Sequence, residues 1–198
     1  MALNVGYLKA KTDKASDEVY TPAYAVKPIL KYIDKGNKTQ YTVWCPFDTE
    51  NSEFVLVLRE KGFKVIHSHI WEGKNFLTYE PKEHYDCIVS NPPFSIKLEV
   101  FKRLFDLGKP FAILMNSNAE QYQNVGNFFF KMSQQDKYIQ KLNPDKKVSF
   151  NGNTSSFNTS YFCWNFLPRD YMMCHLENNN SGKHYVPSRM YEDYKRVA

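Results

Sequence analysis

Glycine is scarce in this sequence, with eight residues in 198, and none lies between Gly36 and Gly62. A glycine-rich turn lets the backbone approach a bound ligand closely, because glycine carries no Cβ. The segment 43–52, which connects the first predicted strand to the next helix, therefore has no such turn. Asp48 and Ser52 are two of the polar side chains that this connection offers instead.

The cysteines are few and widely spaced, at Cys45, Cys87, Cys163 and Cys174. No Cys-x-x-Cys pair and no cysteine–histidine cluster has the spacing of a zinc site, so we expect no bound metal. The sequence also lacks a signal peptide and a long apolar span. We therefore expect a cytoplasmic protein with reduced thiols and no membrane partner.

The charge balance is mildly basic, with a net charge of +5 and an isoelectric point of about 8.9. This balance is compatible with a nucleic-acid partner and equally with an ordinary soluble surface. Aromatic residues make up 16% of the chain and suit base stacking, although they also fill protein cores. The length predicts one domain over residues 17–176, preceded by a flexible arm over 1–16 and followed by a polar, partly disordered tail over 177–198.

Strand and helix patterns alternate along the chain, which predicts an α/β fold with a mostly parallel sheet and right-handed crossovers. Apolar runs predict strands at 41–45, 63–67, 85–90 and 111–115. Helices are expected from Thr21-Pro22, from Ser52 and from Ile96. Two later runs, 147–150 and 161–166, are expected to pair as a C-terminal antiparallel hairpin.

The segment Asn91-Pro92-Pro93-Phe94 follows the predicted strand 85–90 directly. Two prolines cannot continue a strand interior, so the chain must turn out of the sheet there. The turn places an amide, backbone carbonyls and an aromatic ring at a carboxyl end of the sheet, where ligands bind in α/β folds. An amide oxygen and a proline carbonyl can accept hydrogen bonds from an exocyclic amine and stabilise the positive charge that develops as it attacks.

These residues resemble motif IV of the S-adenosylmethionine-dependent amino-methyltransferases, above all the N6-adenine DNA methyltransferases. The resemblance implies a class I methyltransferase (Rossmann-like) fold, S-adenosylmethionine as cofactor and methyl transfer to the N6 amine of adenine in DNA. It also implies that the catalytic residues are Asn91, Pro92, Pro93 and Phe94. The small size of the chain, which leaves no room for a separate recognition domain, resembles phage-encoded members.

Further segments are similar to the family's cofactor-binding motifs. Tyr20-Thr21-Pro22 before a helix is similar to motif X, and Asp48 stands in the glycine-free equivalent of motif I. At the end of the second strand, where the family often has an acid, Ser68 is the candidate for the ribose. Asn75-Phe76 is similar to motif III, which contacts the cofactor adenine. The resemblance thus implies a cofactor site made of Tyr20, Thr21, Pro22, Asp48, Ser68, Asn75 and Phe76.

The resemblance also implies a substrate site. Phe150 falls where motif VIII carries an aromatic residue for a flipped target base, and Lys146 and Lys147 beside it suit phosphate. Two alternatives remain open from the sequence. The first is a catalytically degraded protein that binds nucleic acid or blocks a host protein, which the absent glycines favour. The second keeps methyl transfer but acts on RNA adenine or on a protein glutamine.

Overall fold

The computed structural model describes residues 21–33, 40–150, 153–154 and 157–177. Tyr20, the expected arm and most of the expected tail lie outside these residues. The helices are α1 (Ala23–Val26), α2 (Leu30–Ile33), α3 (Glu53–Glu60), α4 (Lys97–Leu107) and α5 (Gln123–Ser133). Short 3-10 turns cover Lys27–Ile29, Ile70–Glu72, Phe94–Ile96 and Ala119–Gln121. The strands are β1 (Thr42–Cys45), β2 (Lys64–His67), β3 (Cys87–Ser90), β4 (Phe111–Asn116), β5 (Gln140–Pro144), β6 (Ser149–Phe150), β7 (Asn153–Thr154), β8 (Thr159–Trp164) and β9 (Tyr171–Cys174).

Seven of these strands form one sheet in the order β2-β1-β3-β4-β8-β5-β9. The strands β1 to β4 are parallel, and β8 runs antiparallel to both β4 and β5. The final strand β9 pairs in parallel with β5. The predicted α/β architecture, mostly parallel with an antiparallel pair, is therefore confirmed.

The sheet separates two apolar layers, because successive strand residues point to opposite faces. Val43 and Cys45 join α1, α2 and α3 on one face. Trp44, between them, joins α4 and α5 on the other. The strands β1, β3 and β8 are almost wholly buried, as expected for the middle of a sheet that is covered on both sides.

The predicted partner of the late strand 161–166 is wrong. Residues 149–150 pair with β7 in a separate two-stranded sheet, whereas β8 pairs with β5. The strand β5 carries Gln140, Lys141 and Asn143 and ends at Pro144, a composition with weak strand propensity. It is held in the sheet by backbone bonds on both sides, which hydrophobic patterning cannot reveal.

The start of the first helix differs by one residue from the prediction. Pro22 occupies the N-cap position with extended backbone, and the helix begins at Ala23. Thr21 does not cap the helix, and its side chain is used elsewhere, as described below. Two tyrosines fix this helix to its neighbours: Tyr24 Oη accepts from the Ser149 amide of β6 at 2.7 Å, and Tyr161 Oη of β8 donates to the Ala25 carbonyl at 2.8 Å.

Across the described ranges, no helix combines the length and apolar character that a membrane crossing requires.

Candidate active site

The carboxyl ends of the parallel strands meet at one edge of the sheet, and the predicted site residues follow them. Residues 46–52 follow β1, Ser68 follows β2 and Asn91 follows β3. Antiparallel β8 begins at the same edge, since Thr159 is paired with Asn116 at the end of β4. The topology thus brings segments that are far apart in sequence to one edge, which is where α/β sheets bind ligands.

Asn91 is connected to the predicted motif X. Its Nδ2 donates to Thr21 Oγ1 at 3.0 Å, across a sequence separation of 70 residues. Asn91 is half-buried and Thr21 is buried, so the bond lies largely out of solvent. Because the nitrogen of the amide is directed to Thr21, this bond fixes which side of the amide carries the Oδ1 acceptor.

Asp48 ties the rebuilt turn after β1 to the end of β3. Its carboxylate accepts from Ser52 Oγ at 2.6 Å and from Ser90 Oγ at 2.5 Å. The side chain is buried, and this burial raises the pKa of Asp48 from 3.8 to about 6, although both hydroxyls lower it. A buried carboxylate whose bonding partners are neutral hydroxyls would gain from a cationic ligand.

The turn after β1 is closed by the backbone and by an aromatic contact in place of glycines. The Asp48 amide donates to the Ser68 carbonyl at 3.2 Å, and the Ser68 amide donates to the Cys45 carbonyl at 3.1 Å. Phe47 is half-buried, and its ring lies 4.9 Å from the ring of Phe76. Phe47 therefore packs on the sheet, and the Asp48 carboxylate is directed toward β3.

The predicted ribose contact, Ser68, is completely buried, and its hydroxyl accepts from Trp44 Nε1 at 3.0 Å. A more accessible carboxylate lies nearby. Glu72 is 3.7 Å from His67 Nδ1 at the end of β2 and 2.9 Å from Lys74 Nζ. No acid directly follows this strand in the sequence, but the 3-10 turn Ile70–Glu72 brings a carboxylate back to His67 at its end. Reading the strand end alone misses Glu72, because it lies five residues beyond β2.

The predicted adenine contacts form a turn and a core position. Asn75 Oδ1 accepts from the Leu77 amide at 3.0 Å, which is the bond of an Asx turn. Phe76 is only 2% exposed and lies between Phe47 and Trp44, whose ring centroid is 5.4 Å away. The roles of Asn75 and Phe76 toward a cofactor stay predictions. Phe47 is half-buried and is therefore more accessible than Phe76.

The aromatic residues near Asn91 differ from the predicted pair. Phe94 contacts Phe157 edge to face, with centroids 5.4 Å apart, and Phe157 in turn lies 6.0 Å from Phe150. Phe150 is only 5% exposed and belongs to the core, whereas Phe94 and Phe157 are half-buried. Sequence reasoning missed Phe157, because only the fold of the β7–β8 connection brings it to Phe94.

Lys146 and Lys147 lie in an exposed turn between β5 and β6. Both line a cleft of about 400 Å³ at the same edge of the sheet, together with Asn158 and Thr159. The lysines are thus placed beside a concave surface and not beside Asn91 itself. The described ranges contain no group of three or more histidine, cysteine, aspartate or glutamate residues that could hold a metal ion.

No family model and no curated protein matches the chain. Solved structures do match. The 23S rRNA methyltransferase ErmE superposes with a TM-score of 0.51 and 11% identity, over 77% of this chain and 71% of that one. A putative class I S-adenosylmethionine-dependent methyltransferase from Listeria monocytogenes gives a TM-score of 0.52 and 11% identity, over 97% and 76%.

A third match is the methyltransferase subunit of a type I restriction-modification system from Streptococcus thermophilus, with a TM-score of 0.53 and 12% identity. It covers 98% of this chain, which spans only 56% of that subunit. This chain has the class I methyltransferase fold. At these identities the likeness establishes the fold alone, so the chemistry has to be argued from the site.

Proposed function

We propose that the protein transfers a methyl group from S-adenosylmethionine to the N6 amine of adenine in DNA. The observation that carries this proposal is the position of Asn91 at the carboxyl end of β3, with its Nδ2 bound to Thr21 at 3.0 Å. That bond orients the amide oxygen as an acceptor, which is what attack by an exocyclic amine requires. The class I methyltransferase fold places this amide at the edge where such sheets bind ligands.

The polar groups along the edge fit the proposed cofactor. The Asp48 carboxylate, buried and bonded to neutral hydroxyls, would hold a cationic ammonium group. Glu72, in the 3-10 turn after β2, offers a carboxylate for ribose hydroxyls, and Phe47 on Phe76 offers an aromatic surface for the adenine. These contacts replace the glycine-rich turn, so its absence does not by itself argue for a degraded protein.

When bound, S-adenosylmethionine supplies an electrophilic methyl group. The protein's part is to position the amine and stabilise its developing charge, with Asn91 Oδ1 and the Pro92 carbonyl accepting from the amino hydrogens. Phe94 can stack on the planar base and hold it next to these acceptors. No acidic or basic group is required, because the proton can leave the amine late and pass to solvent.

DNA is the proposed substrate, and RNA adenine is the second candidate. Among the matched proteins, one is named as acting on 23S rRNA and another as part of a restriction-modification system. The net charge of +5 suits either nucleic acid.

The test is calorimetric titration with S-adenosylmethionine, followed by transfer of its labelled methyl group to DNA and RNA of the same sequence. We expect binding, and label recovered as N6-methyladenine. Label in RNA alone would show that RNA is the substrate. Absence of binding at millimolar S-adenosylmethionine would overturn the proposed methyltransferase activity.

The contact between Phe94 and Phe157 predicts a second property of the site. The rings touch edge to face at 5.4 Å, so a base can stack between them only after Phe157 moves away. We expect Phe94→Ala and Phe157→Ala each to weaken binding of a duplex that carries 2-aminopurine opposite an abasic site, where flipping costs least. The expected loss is about 5- to 100-fold, as for other base–aromatic contacts.

The measurement is 2-aminopurine fluorescence, which rises when the base leaves the stack. The matched control is Phe150→Leu, which alters a core residue of the same aromatic cluster. It should cost about 1–2 kcal/mol of unfolding free energy and leave affinity unchanged. Equal loss in the control would mean that the cluster only supports the fold.

A further inference from the structure

A cleft of about 400 Å³ lies at the carboxyl edge of the sheet, over β5, β8 and β9. In the sheet order, β8 and β5 are two and three strand spacings from β3, which is about 10 to 14 Å between the strands. The cleft therefore lies beside the proposed target position and not on it. It lies on the same edge, however, where a neighbouring part of one substrate would pass. Its lining includes Ser117, Asn143, Lys147, Thr159, Tyr171 and Met173.

The floor of the cleft is polar and already ordered. Ser160 Oγ donates to Asn143 Oδ1 at 2.7 Å, and the hydroxyl of Ser117 lies 2.6 Å from that of Ser160. Ser160 and Asn143 lie on the same face of β8 and β5, so the cleft presents hydroxyl and amide groups to a ligand.

The rim of the cleft combines positive charge with exposed apolar side chains. Lys146 and Lys147 are both exposed, while the neighbouring Asp145 is engaged by His175 at 2.5 Å. Tyr171 and Met173 are 66% and 55% exposed, which is unusual for residues of this size. The Tyr171 hydroxyl lies 3.6 Å from Met173 Sδ, so the two side chains form one surface.

We propose that this cleft binds a nucleotide next to the target in a single-stranded segment of the nucleic-acid substrate. The base stacks on Tyr171 and Met173, a phosphate is bound by Lys147, and the amide of Asn143 contacts the sugar or base edge. The cleft thus offers an aromatic ring for a base, a cation for a phosphate and polar groups for a sugar or base edge. The proposal rests on the proposed function and gives this edge of the sheet a place to read a flanking position.

The test is fluorescence anisotropy with labelled twelve-nucleotide single strands of DNA and of RNA, without cofactor, over a salt series. Tyr171→Ala should weaken binding about 5- to 100-fold, as loss of base stacking does. Lys147→Gln should weaken it and lower the salt slope by about 1. The matched controls are Tyr138→Ala, another exposed tyrosine, and Lys82→Gln, which precedes β3 at the opposite edge of the sheet; both should bind as the parent does.

Tyr171→Ala and Lys147→Gln variants that bind like the parent would overturn the proposed nucleotide site and leave the proposed methyltransferase activity in place. If the unsubstituted protein binds neither DNA nor RNA strands, the proposed nucleotide site is also overturned. The titration with S-adenosylmethionine then tests the proposed function separately. Binding of one strand type only supports the cleft and identifies the nucleic acid.

Discussion

Replacing Asn91 by alanine should reduce the rate of methyl transfer by about 10²–10³, the usual cost of removing one preorganised polar group at a developing charge. The substitution removes the acceptor that Thr21 orients, while Phe94 can still hold the base. In the proposed function Asn91 contacts the amine and not the cofactor, so affinity for S-adenosylmethionine should change little. The measurement is single-turnover transfer at saturating cofactor and DNA, which isolates the chemical step from binding.

Substitutions of Thr21 test whether the orientation of the Asn91 amide matters for the rate, which would not be the case if the segment were only a turn. Thr21→Val deletes the Oγ1 acceptor but preserves the shape of the side chain, so the amide of Asn91 loses its fixed orientation. We expect about a tenfold lower rate, roughly the net worth of one hydrogen bond, and recovery in Thr21→Ser, which restores the oxygen. Full activity in Asn91→Ala would show that the Asn-Pro-Pro-Phe segment is only a turn.

The sequence predicted those features of the fold and site that depend on short local patterns. Buried strands with continuous apolar runs, such as β3 and β4, and the proline turn after Ser90 are visible in short windows. Gly108, with φ of 65°, ends α4, and a glycine after an amphipathic run is a local signal for a helix end. The strand β5 was missed because its pattern is half polar and its pairing with β8 is set by residues about 20 positions away.

The candidate site shows the same limit. The sequence identifies Asn91 and Asp48 as chemically suitable, but their partners Thr21 and Ser90 are 70 and 42 positions away. Phe157 has no motif of its own and becomes a candidate only through its contact with Phe94. Contacts across elements depend on the assembled sheet, so no window of the sequence contains them.

Asp48→Asn should make the protein more stable at pH 8. Burial raises the pKa of Asp48 from 3.8 to about 6, so the folded state binds this proton more tightly than the unfolded state does. The contribution of this group to stability is therefore most favourable below about pH 4 and is lost as the pH rises through about 6. The two pKa values differ by about two, which corresponds to about 3 kcal/mol at most. We expect the substituted protein to recover about 1–3 kcal/mol of unfolding free energy, because the asparagine side chain stays neutral at every pH.

The same substitution should weaken cofactor binding. Loss of a charge-assisted bond to the cofactor ammonium costs about 10- to 100-fold in affinity. In the parent, affinity should rise between pH 5 and 7 as Asp48 ionises and should level off above this range, since only the carboxylate attracts a cation. In Asp48→Asn this pH dependence should disappear.

Thermal denaturation and calorimetry across pH 5–8 measure both effects. Asp106→Asn, on the exposed side of α4, is the control that should change neither.

Ser90→Ala provides a graded case. Removing the hydroxyl that donates to Asp48 should raise the pKa of the carboxyl further and move the binding midpoint to higher pH. A more stable Asp48→Asn protein that binds cofactor as tightly as the parent would show that the buried carboxylate only braces the turn. Opposite changes in stability and affinity would show that the strain of burying this charge is maintained for binding.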